Sequence, residues 1–250
     1  MRLRLALMAL LSLAASTAAS GQGGETFTPT ETVAPDIPGV VAGGTRVQVV
    51  AQGLRGTEGP IAAPDGTLLL TEQAANVVTR IDAQGNRSTF LENTNGCQGL
   101  TFDQKGRLIG VLPATKQIAT LTPTRTVLAA AFQGRPFAGP NDLVADRKGG
   151  VYFTDPGAYP PPGQFLTAIP AVYYVRPDGS VVRIADDIAR PNGVILSPEG
   201  RHLGTIPIGN PDGPQNLAFA GPDKRTLYVV GDGAVWKAAM IAQGPKGRAK

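Results

Sequence analysis

The stretch GPIAAPDGTLLLTE, residues 59–72, decides the fold because its pattern recurs along the chain. It consists of a short apolar run, a turn containing Asp or Gly, and a second apolar run, which is typical of a β-hairpin. Each copy places its turn residue seven positions after its first residue, which we call the anchor. The copies are GPIAAPDGTLLLTE (59–72), GLTFDQKGRLIGVL (99–112), DLVADRKGGVYFTD (142–155), GVILSPEGRHLGTI (193–206) and NLAFAGPDKRTLYVV (216–230).

The spacing of the anchors predicts a β-propeller. They lie at 59, 99, 142, 193 and 216, so the first three intervals are 40, 43 and 51 residues. A four-stranded propeller blade takes about 40–50 residues. Third strands are also visible at 77–81 and 172–175. We therefore predict an all-β chain, with a β-sandwich of repeated hairpins as the alternative. The last interval, 23 residues, is too short for a blade, so one blade is a fragment or is missing between Asn192 and Asn216.

Composition excludes several classes of function. Of the 250 residues, 42% are hydrophobic and 17% charged, which is enough for a packed core. The 32 Gly and 22 Pro residues fit short strands joined by tight turns. The single cysteine, Cys97, excludes an intramolecular disulfide and a Cys-rich zinc site. The single histidine, His202, excludes sites that need two or three His ligands.

The N-terminus predicts export. Two arginines, Arg2 and Arg4, precede the apolar run 5–13, and the small residues Ala18 and Ser20 mark a cleavage site before residue 21. The apolar run is too short to span a bilayer, although an uncleaved anchor is the alternative. We expect a signal peptide at 1–20, an extended lead-in at 21–45 and a propeller domain at 46–250. The mature protein is then predicted to be periplasmic or secreted.

The charge gives little support for a nucleic-acid or membrane partner. Removal of residues 1–20 removes two arginines and no acid, so the formal charge falls from +4 to +2. The basic tail KGRAK (246–250) has no aromatic neighbours and is typical of a solvated end. We expect a small-molecule partner and neither a nucleic acid nor, in the mature form, a membrane.

The residue before each anchor points to chemistry. The innermost strand of every blade lines the central channel, so these five residues, which we call the axial residues, should meet near one end of it. One carboxylate with several amide oxygens suits a hard cation such as Ca²⁺, Mg²⁺ or Mn²⁺. Such an ion permits hydrolysis without a Ser or Cys nucleophile. The alternative is that these side chains only cap backbone groups at turns. The axial residues are Glu58, Gln98, Asn141, Asn192 and Gln215.

Three motifs resemble the regucalcin (senescence marker protein)/gluconolactonase family. They are Glu58-Gly-Pro, Pro140-Asn-Asp and Pro191-Asn-Gly, and the resemblance covers about residues 45–250. It implies a six-bladed propeller with a divalent cation on its axis, most often Ca²⁺, with Mg²⁺, Mn²⁺ or Zn²⁺ as alternatives. It also implies hydrolysis of sugar lactones or related esters. The family's metal ligands correspond to Glu58, Asn141 and Asn192.

The family's fourth ligand does not transfer cleanly. It is an aspartate one blade later, which also serves as general base, and the stretch that would carry it is absent. Asp212, followed by Gly213, is the formal match and is a candidate metal ligand and catalytic residue beside Glu58. Five blades or an incomplete six-bladed ring are therefore expected, with impaired activity. Gln98, Asn141 and Gln215 are the candidate substrate contacts.

Two further aspartates lie near the motifs. Asp142 follows Asn141 and should face the opposite side of its strand. Asp155 ends the next strand and is either a turn carboxylate before Pro156 or part of another ion site. If the ring has lost its base, a non-catalytic propeller that binds a ligand or a protein is the alternative function.

Overall fold

The structure, a computed structural model, describes residues 28–157, 169–188, 191–194 and 215–244. These residues contain nineteen strands and one 3-10 turn, Pro113–Thr115, and no α-helix. No helix among them is long and apolar enough to cross a membrane. The strands are β1 Thr32–Val33, β2 Arg46–Ala51, β3 Thr57–Ala62, β4 Leu68–Glu72, β5 Val77–Ile81, β6 Arg87–Glu92, β7 Leu100–Phe102, β8 Leu108–Leu112, β9 Gln117–Thr120, β10 Thr126–Ala129, β11 Ala131–Phe132, β12 Arg135–Pro136, β13 Leu143–Ala145, β14 Val151–Asp155, β15 Ala171–Val175, β16 Val181–Ala185, β17 Asn216–Ala220, β18 Thr226–Gly231 and β19 Ala234–Ala239.

The strands form four antiparallel sheets in a propeller-like arrangement. Blade 1 is β3–β6, blade 2 is β7–β10 and blade 3 is β13–β16, each in sequence order. The closing blade has the order β17-β18-β19-β2-β1, and β11 and β12 form a separate hairpin. The predicted all-β propeller is confirmed as an incomplete one. The hairpins predicted at anchors 59, 99, 142 and 216 are present, whereas most of the copy at 193 lies outside the described residues.

Aspartate side chains shape the hairpin turns. In each hairpin one Asp Oδ1 accepts the main-chain N–H two residues later, at distances of 2.8–3.0 Å. Such Asx turns explain why Asp recurs in the repeat. The aspartates are Asp65, Asp103, Asp146 and Asp223. These turns follow the inner strands, so they lie at the opposite end of the blades from the axial residues, which stand at the start of those strands.

Buried side chains fill the spaces between neighbouring blades. One cluster joins blades 1 and 2 around Leu69 and Leu100, and another joins blade 1 to the closing blade around Leu70 and Val230. A third joins Ile109 and Val111 of blade 2 to Phe153 and Tyr173 of blade 3, whose rings stack at 5.2 Å. The sheets therefore pack face to face around an axis rather than as two layers, which excludes the β-sandwich.

The N-terminal residues close the ring. Strand β2 pairs with β19, so the closing blade combines both ends of the described chain. Within the predicted lead-in, Ala34, Ile37 and Val41 are buried against Trp236. The indole Nε1 of Trp236 also donates to the carbonyl oxygen of Thr30 at 3.1 Å. Residues 28–45 thus contribute to the core of the closing blade.

We predict that Trp236→Ala destabilises the protein by about 3–5 kcal/mol, because it leaves a large cavity between the lead-in and the closing blade. Leu217→Ala on β17, where the side chain is 38% exposed, is the control and should change stability by under about 1 kcal/mol. Urea unfolding followed by far-UV circular dichroism measures both, since Trp236 is the only tryptophan. Equal stabilities of the two variants would show that the lead-in does not hold the ring closed.

Candidate metal centre

The axial residues occupy equivalent positions in the backbone. The N–H of Gln98 donates to Val111, that of Asn141 to Thr154 and that of Gln215 to Val230, at 2.9–3.1 Å. Each bond joins an inner strand to the second strand of the same blade. The repeat found in the sequence therefore corresponds to a real structural register.

The anchors make a circuit of contacts around the axis. A Cβ added at Gly59 would lie 2.2 Å from the carbonyl oxygen of Gln98, and one at Gly99 would lie 2.6 Å from Asp142 Oδ1. Asp142 Oδ2 accepts the N–H of Val194 at 2.7 Å.

The same circuit continues through the fourth anchor and returns to blade 1. A Cβ added at Gly193 would lie 3.7 Å from Asn216 Oδ1. Asn216 Nδ2 in turn donates to Glu58 Oε2 at 3.4 Å. Five inner segments thus enclose one axis. Four of them carry the anchors of blades 1, 2, 3 and the closing blade, and the fifth is residues 191–194.

Glu58 is the carboxylate of this centre. Its side chain is only 4% exposed, on the first strand of blade 1. Oε2 accepts from Asn216 Nδ2 and, at 3.3 Å, from the N–H of Gly59. Both are long hydrogen bonds from neutral donors to the buried carboxylate.

Asn216 belongs to the centre, although the sequence identified it only as an anchor. It is 6% exposed, and its Oδ1 accepts the N–H of Leu217 at 2.8 Å. That bond turns the NH₂ group of Asn216 toward Glu58. Gln215, the predicted substrate contact beside it, has an exposed side chain. The strand alternation explains the difference, because adjacent side chains on β17 point in opposite directions.

A chain of amides orients Asn141. Gln98 Nε2 donates to Gln73 Oε1 at 3.1 Å, and Asn141 Nδ2 donates to Gln98 Oε1 at 3.3 Å. Asn141 Oδ1 is buried and accepts no hydrogen bond from the described part of the chain. A buried carbonyl oxygen without a donor is the kind of atom that a hard cation satisfies. Gln73 had no signal in the sequence beyond its place after strand β4.

Asn192 lies on the fifth inner segment. Its main-chain carbonyl accepts from Thr154 Oγ1 at 2.7 Å, whereas its side chain is exposed. The side-chain contacts therefore form two sets on the circuit of inner segments, Asn216 with Glu58 and Asn141 with Gln98. The backbone of Asn192 adjoins blade 3 through Thr154. Asp212 lies outside the described residues.

Three other residues singled out in the sequence have structural partners. The carboxylate of Asp155 accepts the N–H groups of Ala138, Gly139 and Gly157 at 2.8–3.1 Å, as a turn carboxylate does. Asp142 is fully buried between inner strands, where it holds Val194. Cys97 is also buried, and burial raises the pKa of its thiol, so it is unreactive as a nucleophile.

The donor set fits a hard cation and no soft metal. It consists of one carboxylate and amide oxygens, which Ca²⁺ and Mg²⁺ prefer. No group of three or more His, Cys, Asp or Glu side chains with metal-binding geometry occurs among the described residues. On the described inner segments the buried carboxylates are Glu58 and Asp142, and Asp142 is engaged with Val194.

Two cavities stand out among the described residues, and no axial residue lines either of them. One of about 580 Å³ borders Ala138 and Asp155, beside the loop that leads to Asn141, and is also lined by Phe137, Tyr173 and Arg183. Burial, and then the charge of Asp155, raise the pKa of the Tyr173 hydroxyl, which therefore stays protonated at neutral pH. The other, about 610 Å³, includes the turn at Asp65–Thr67 and so lies at the opposite end of the blades from Glu58.

The fold and the comparison with known proteins together assign the chain to a family. Blades that meet around an axial group of oxygen ligands define a β-propeller with a candidate hard-cation site. Residues 56–205, more than half of the chain, match the SMP-30/Gluconolactonase/LRE-like region, and the chain belongs to this family. The resemblance inferred from the three motifs is therefore confirmed.

Individual relatives agree with this assignment. A gluconolactonase of Zymomonas mobilis subsp. mobilis is 26% identical over 222 residues, which cover 78% of this chain and 61% of that protein. The structure of a gluconolactonase from Xanthomonas campestris superposes with a TM-score of 0.63 at 18% identity, over 84% of this chain and 97% of the other. Regucalcin of Agrobacterium tumefaciens, described as a calcium-binding protein, gives a TM-score of 0.55 at 14% identity, over 76% and 92%.

We predict that Gly99→Ala destabilises the protein by about 1–3 kcal/mol, because its Cβ would overlap Asp142. Gly193→Ala, at the equivalent anchor, meets only ordinary contacts and should change stability by under about 0.5 kcal/mol. Urea unfolding of both variants measures the difference. Equal tolerance at the two anchors would contradict the closed circuit of inner strands.

We predict that Asn216→Asp lowers the stability of the metal-free protein by about 1–3 kcal/mol, because a donor to Glu58 becomes a second carboxylate. The same charge should strengthen Ca²⁺ binding. Thermal unfolding with and without Ca²⁺ should therefore show a larger metal-induced rise in Tm than in the wild type. Asn93→Asp, on an exposed loop, is the control; an equal rise in both variants would place Asn216 outside any metal centre.

Proposed function

We propose that the protein is an exported, divalent-metal-dependent hydrolase of sugar lactones or related esters. Membership of the family and the relative from Z. mobilis support the reaction class. The observation that carries the proposal is the buried Asn141 Oδ1, which lacks a donor among the described residues and lies on the same circuit of inner segments as the buried Glu58 carboxylate. The chain spans 61% of the length of that relative. The activity of the whole enzyme is therefore a proposal for this chain and is not carried over from that protein.

The residues that would hold the ion are Glu58, Asn141 and Asn192. Ca²⁺ is the ion we favour, because the donors are hard oxygens and a structural relative is described as calcium-binding. Asp212 is the proposed fourth ligand. Asn216 would hold the Glu58 carboxylate in position by its Nδ2 contact.

The chemistry follows from the same residues. A divalent ion supplies Lewis-acid polarisation of an ester carbonyl and lowers the pKa of a bound water. Glu58 is the proposed acceptor of the proton from the attacking water, a role that Asp212 would share. The carboxamide of Gln98 would bind and orient the hydroxyl groups of a sugar lactone, together with Asn141. Gln215 is left out of this set because its exposed side chain points away from the side of Asn216 that faces Glu58. Neither a serine nor a cysteine nucleophile is needed, consistent with the burial of Cys97.

The cavity of about 580 Å³ borders the loop that leads to Asn141 but no axial residue, so it is proposed to hold the part of the substrate farthest from the ion. Its volume lies in the range of small-molecule sites. It combines the rings of Phe137 and Tyr173 with the guanidinium of Arg183. These groups suit a polyhydroxylated ring that becomes a carboxylate when the ester opens, because aromatic faces pack on C–H groups and Arg pairs with a carboxylate.

Export would be directed by residues 1–20, whose arginines, apolar run and small residues have the pattern of a signal peptide. A secreted or periplasmic location also suits Ca²⁺, which sites of modest charge bind at the millimolar concentrations found outside the cell. N-terminal sequencing of the protein recovered from the periplasm or medium tests the cleavage before Gly21.

We predict that the purified protein hydrolyses gluconolactone with Ca²⁺ and that a chelator abolishes the activity. Glu58→Gln should lower kcat/KM by about 10²-fold or more, because it removes both an anionic ligand and a proton acceptor. Glu92→Gln, on the outer strand of the same blade, is the control and should match the wild type. A pH-stat assay measures the rates.

Gluconolactone hydrolysis at the rate of the buffer background, both with and without Ca²⁺, would overturn the proposed hydrolase activity. Calorimetry then separates the remaining possibilities. Ca²⁺ binding that Glu58→Gln removes, without hydrolysis, would indicate a ligand-binding propeller, the alternative function. Absence of Ca²⁺ binding would overturn the metal centre itself.

A further inference from the structure

Three axial main-chain carbonyls accept a hydrogen bond from the preceding blade of the circuit. Thr71 Oγ1 of blade 1 donates to the carbonyl oxygen of Gln98 at 2.9 Å, and Thr154 Oγ1 of blade 3 donates to that of Asn192 at 2.7 Å. Between them, the carbonyl of Asn141 accepts from the N–H of Gly99 at 3.0 Å. These bonds fix the backbone of three axial residues.

The two threonines occupy the same position in their blades. Thr71 pairs with Glu58 across β3 and β4, and the carbonyl of Thr154 accepts from the N–H of Asn141. Both side chains are buried, at 0% and 2% exposure. In blade 2 the equivalent position is Val111, which has the same shape without the hydroxyl. Among the described residues, the threonine hydroxyl is thus present where the next axial carbonyl does not accept a main-chain N–H in the way that the carbonyl of Asn141 accepts the N–H of Gly99.

Asn192 depends most on this bond. Thr154 holds the carbonyl of Asn192, and Asp142 holds the N–H of Val194 two residues later, at 2.7 Å each. The N–H of Asp142 also donates to Thr154 Oγ1 at 3.1 Å. The hydroxyl lies 2.7 Å from the carbonyl of Asn192 and 3.5 Å from that of Asp142, so Asn192 is the better acceptor for its proton. The exposed carboxamide of Asn192 is therefore carried by a backbone segment clamped on both sides.

We propose that Thr154 is a positioning residue that sets the direction in which Asn192 presents its side chain to a divalent cation. This inference rests on the proposed function, because it assigns a role toward the same ion. Thr154 itself does not reach the ion; it acts through the backbone of Asn192, as groups behind a metal ligand commonly do. Thr71 plays the corresponding part for Gln98.

The test compares Thr154→Val with Thr101→Val. Both substitutions replace a buried hydroxyl by a methyl group of the same size. Thr101 Oγ1 also joins neighbouring blades, by accepting the N–H of Ala145 at 3.2 Å, but it does not contact an axial residue. Isothermal calorimetry with CaCl₂ and the full chain gives the affinity directly, without reference to activity.

We predict that Thr154→Val weakens Ca²⁺ binding by about 10–100-fold, the range found for groups that orient metal ligands. Thr154→Ser should restore binding, and Thr101→Val should leave it unchanged even if it lowers Tm. In the background of Asn192→Ala, Thr154→Val should have no further effect on affinity, because the residue that it positions is gone.

Failure of the proposed function and failure of the inference about Thr154 give different results. A wild-type protein that binds no Ca²⁺ overturns the proposed function and this inference with it. A wild-type protein that binds Ca²⁺, with equal affinities for Thr154→Val and Thr101→Val, overturns this inference alone.

If Thr154→Val does not fold, hydrogen exchange of the wild type decides. Addition of Ca²⁺ should slow exchange of the Val194 amide, which lies on the clamped segment, and should not affect the Ala145 amide. Unchanged exchange at Val194 in a protein that binds Ca²⁺ by calorimetry would overturn the role of the clamp.

Discussion

The close approach of neighbouring inner strands is the constraint on which the rest of the structure depends. At Gly59 and Gly99 the next strand lies so near that no Cβ fits, and at Asp142 and Asn216 a side chain itself supplies the contact to the next segment. At these four positions the anchor must therefore be glycine or a short polar residue that bonds across the gap. Any larger apolar group would push the strands apart and open the axis where Glu58 is buried.

The parts of this arrangement that are local in the chain could be predicted from the sequence. Asx turns at Asp65 and Asp103 are encoded within five residues, so the hairpins and their spacing were visible. The axial residues were found because each stands one place before an anchor. The groups that orient them could not be found in this way, because Gln73, Thr71 and Thr154 lie on other strands and act across blades. Asn216 was identified as an anchor, and only the contact with Glu58 reveals its second role.

The polar contacts at the axis also explain why amides accompany the Glu58 carboxylate there. The NH₂ group of each carboxamide donates a hydrogen bond to a neighbour, Asn141 to Gln98 and Asn216 to Glu58. For Asn141 this leaves the carbonyl oxygen without a donor among the described residues. Amides arranged in this way offer oxygen ligands without adding negative charge, and so avoid the mutual repulsion of several buried carboxylates. Amides attract a cation less strongly than carboxylates do, so Glu58 must supply that attraction.

A propeller with an incomplete ring can retain its axial group because the circuit of anchors and the outer strands are separate structures. The contacts from Gly59 to Asn216 involve only inner segments, and residues 191–194 take part through Thr154 and Asp142 without needing the outer strands of a blade for those contacts. Outer strands add buried area and hence stability. Their loss would therefore lower the free energy of unfolding before it altered the distances among the axial side chains. The number of blades and the chemistry of the axis are to that extent independent properties of this chain.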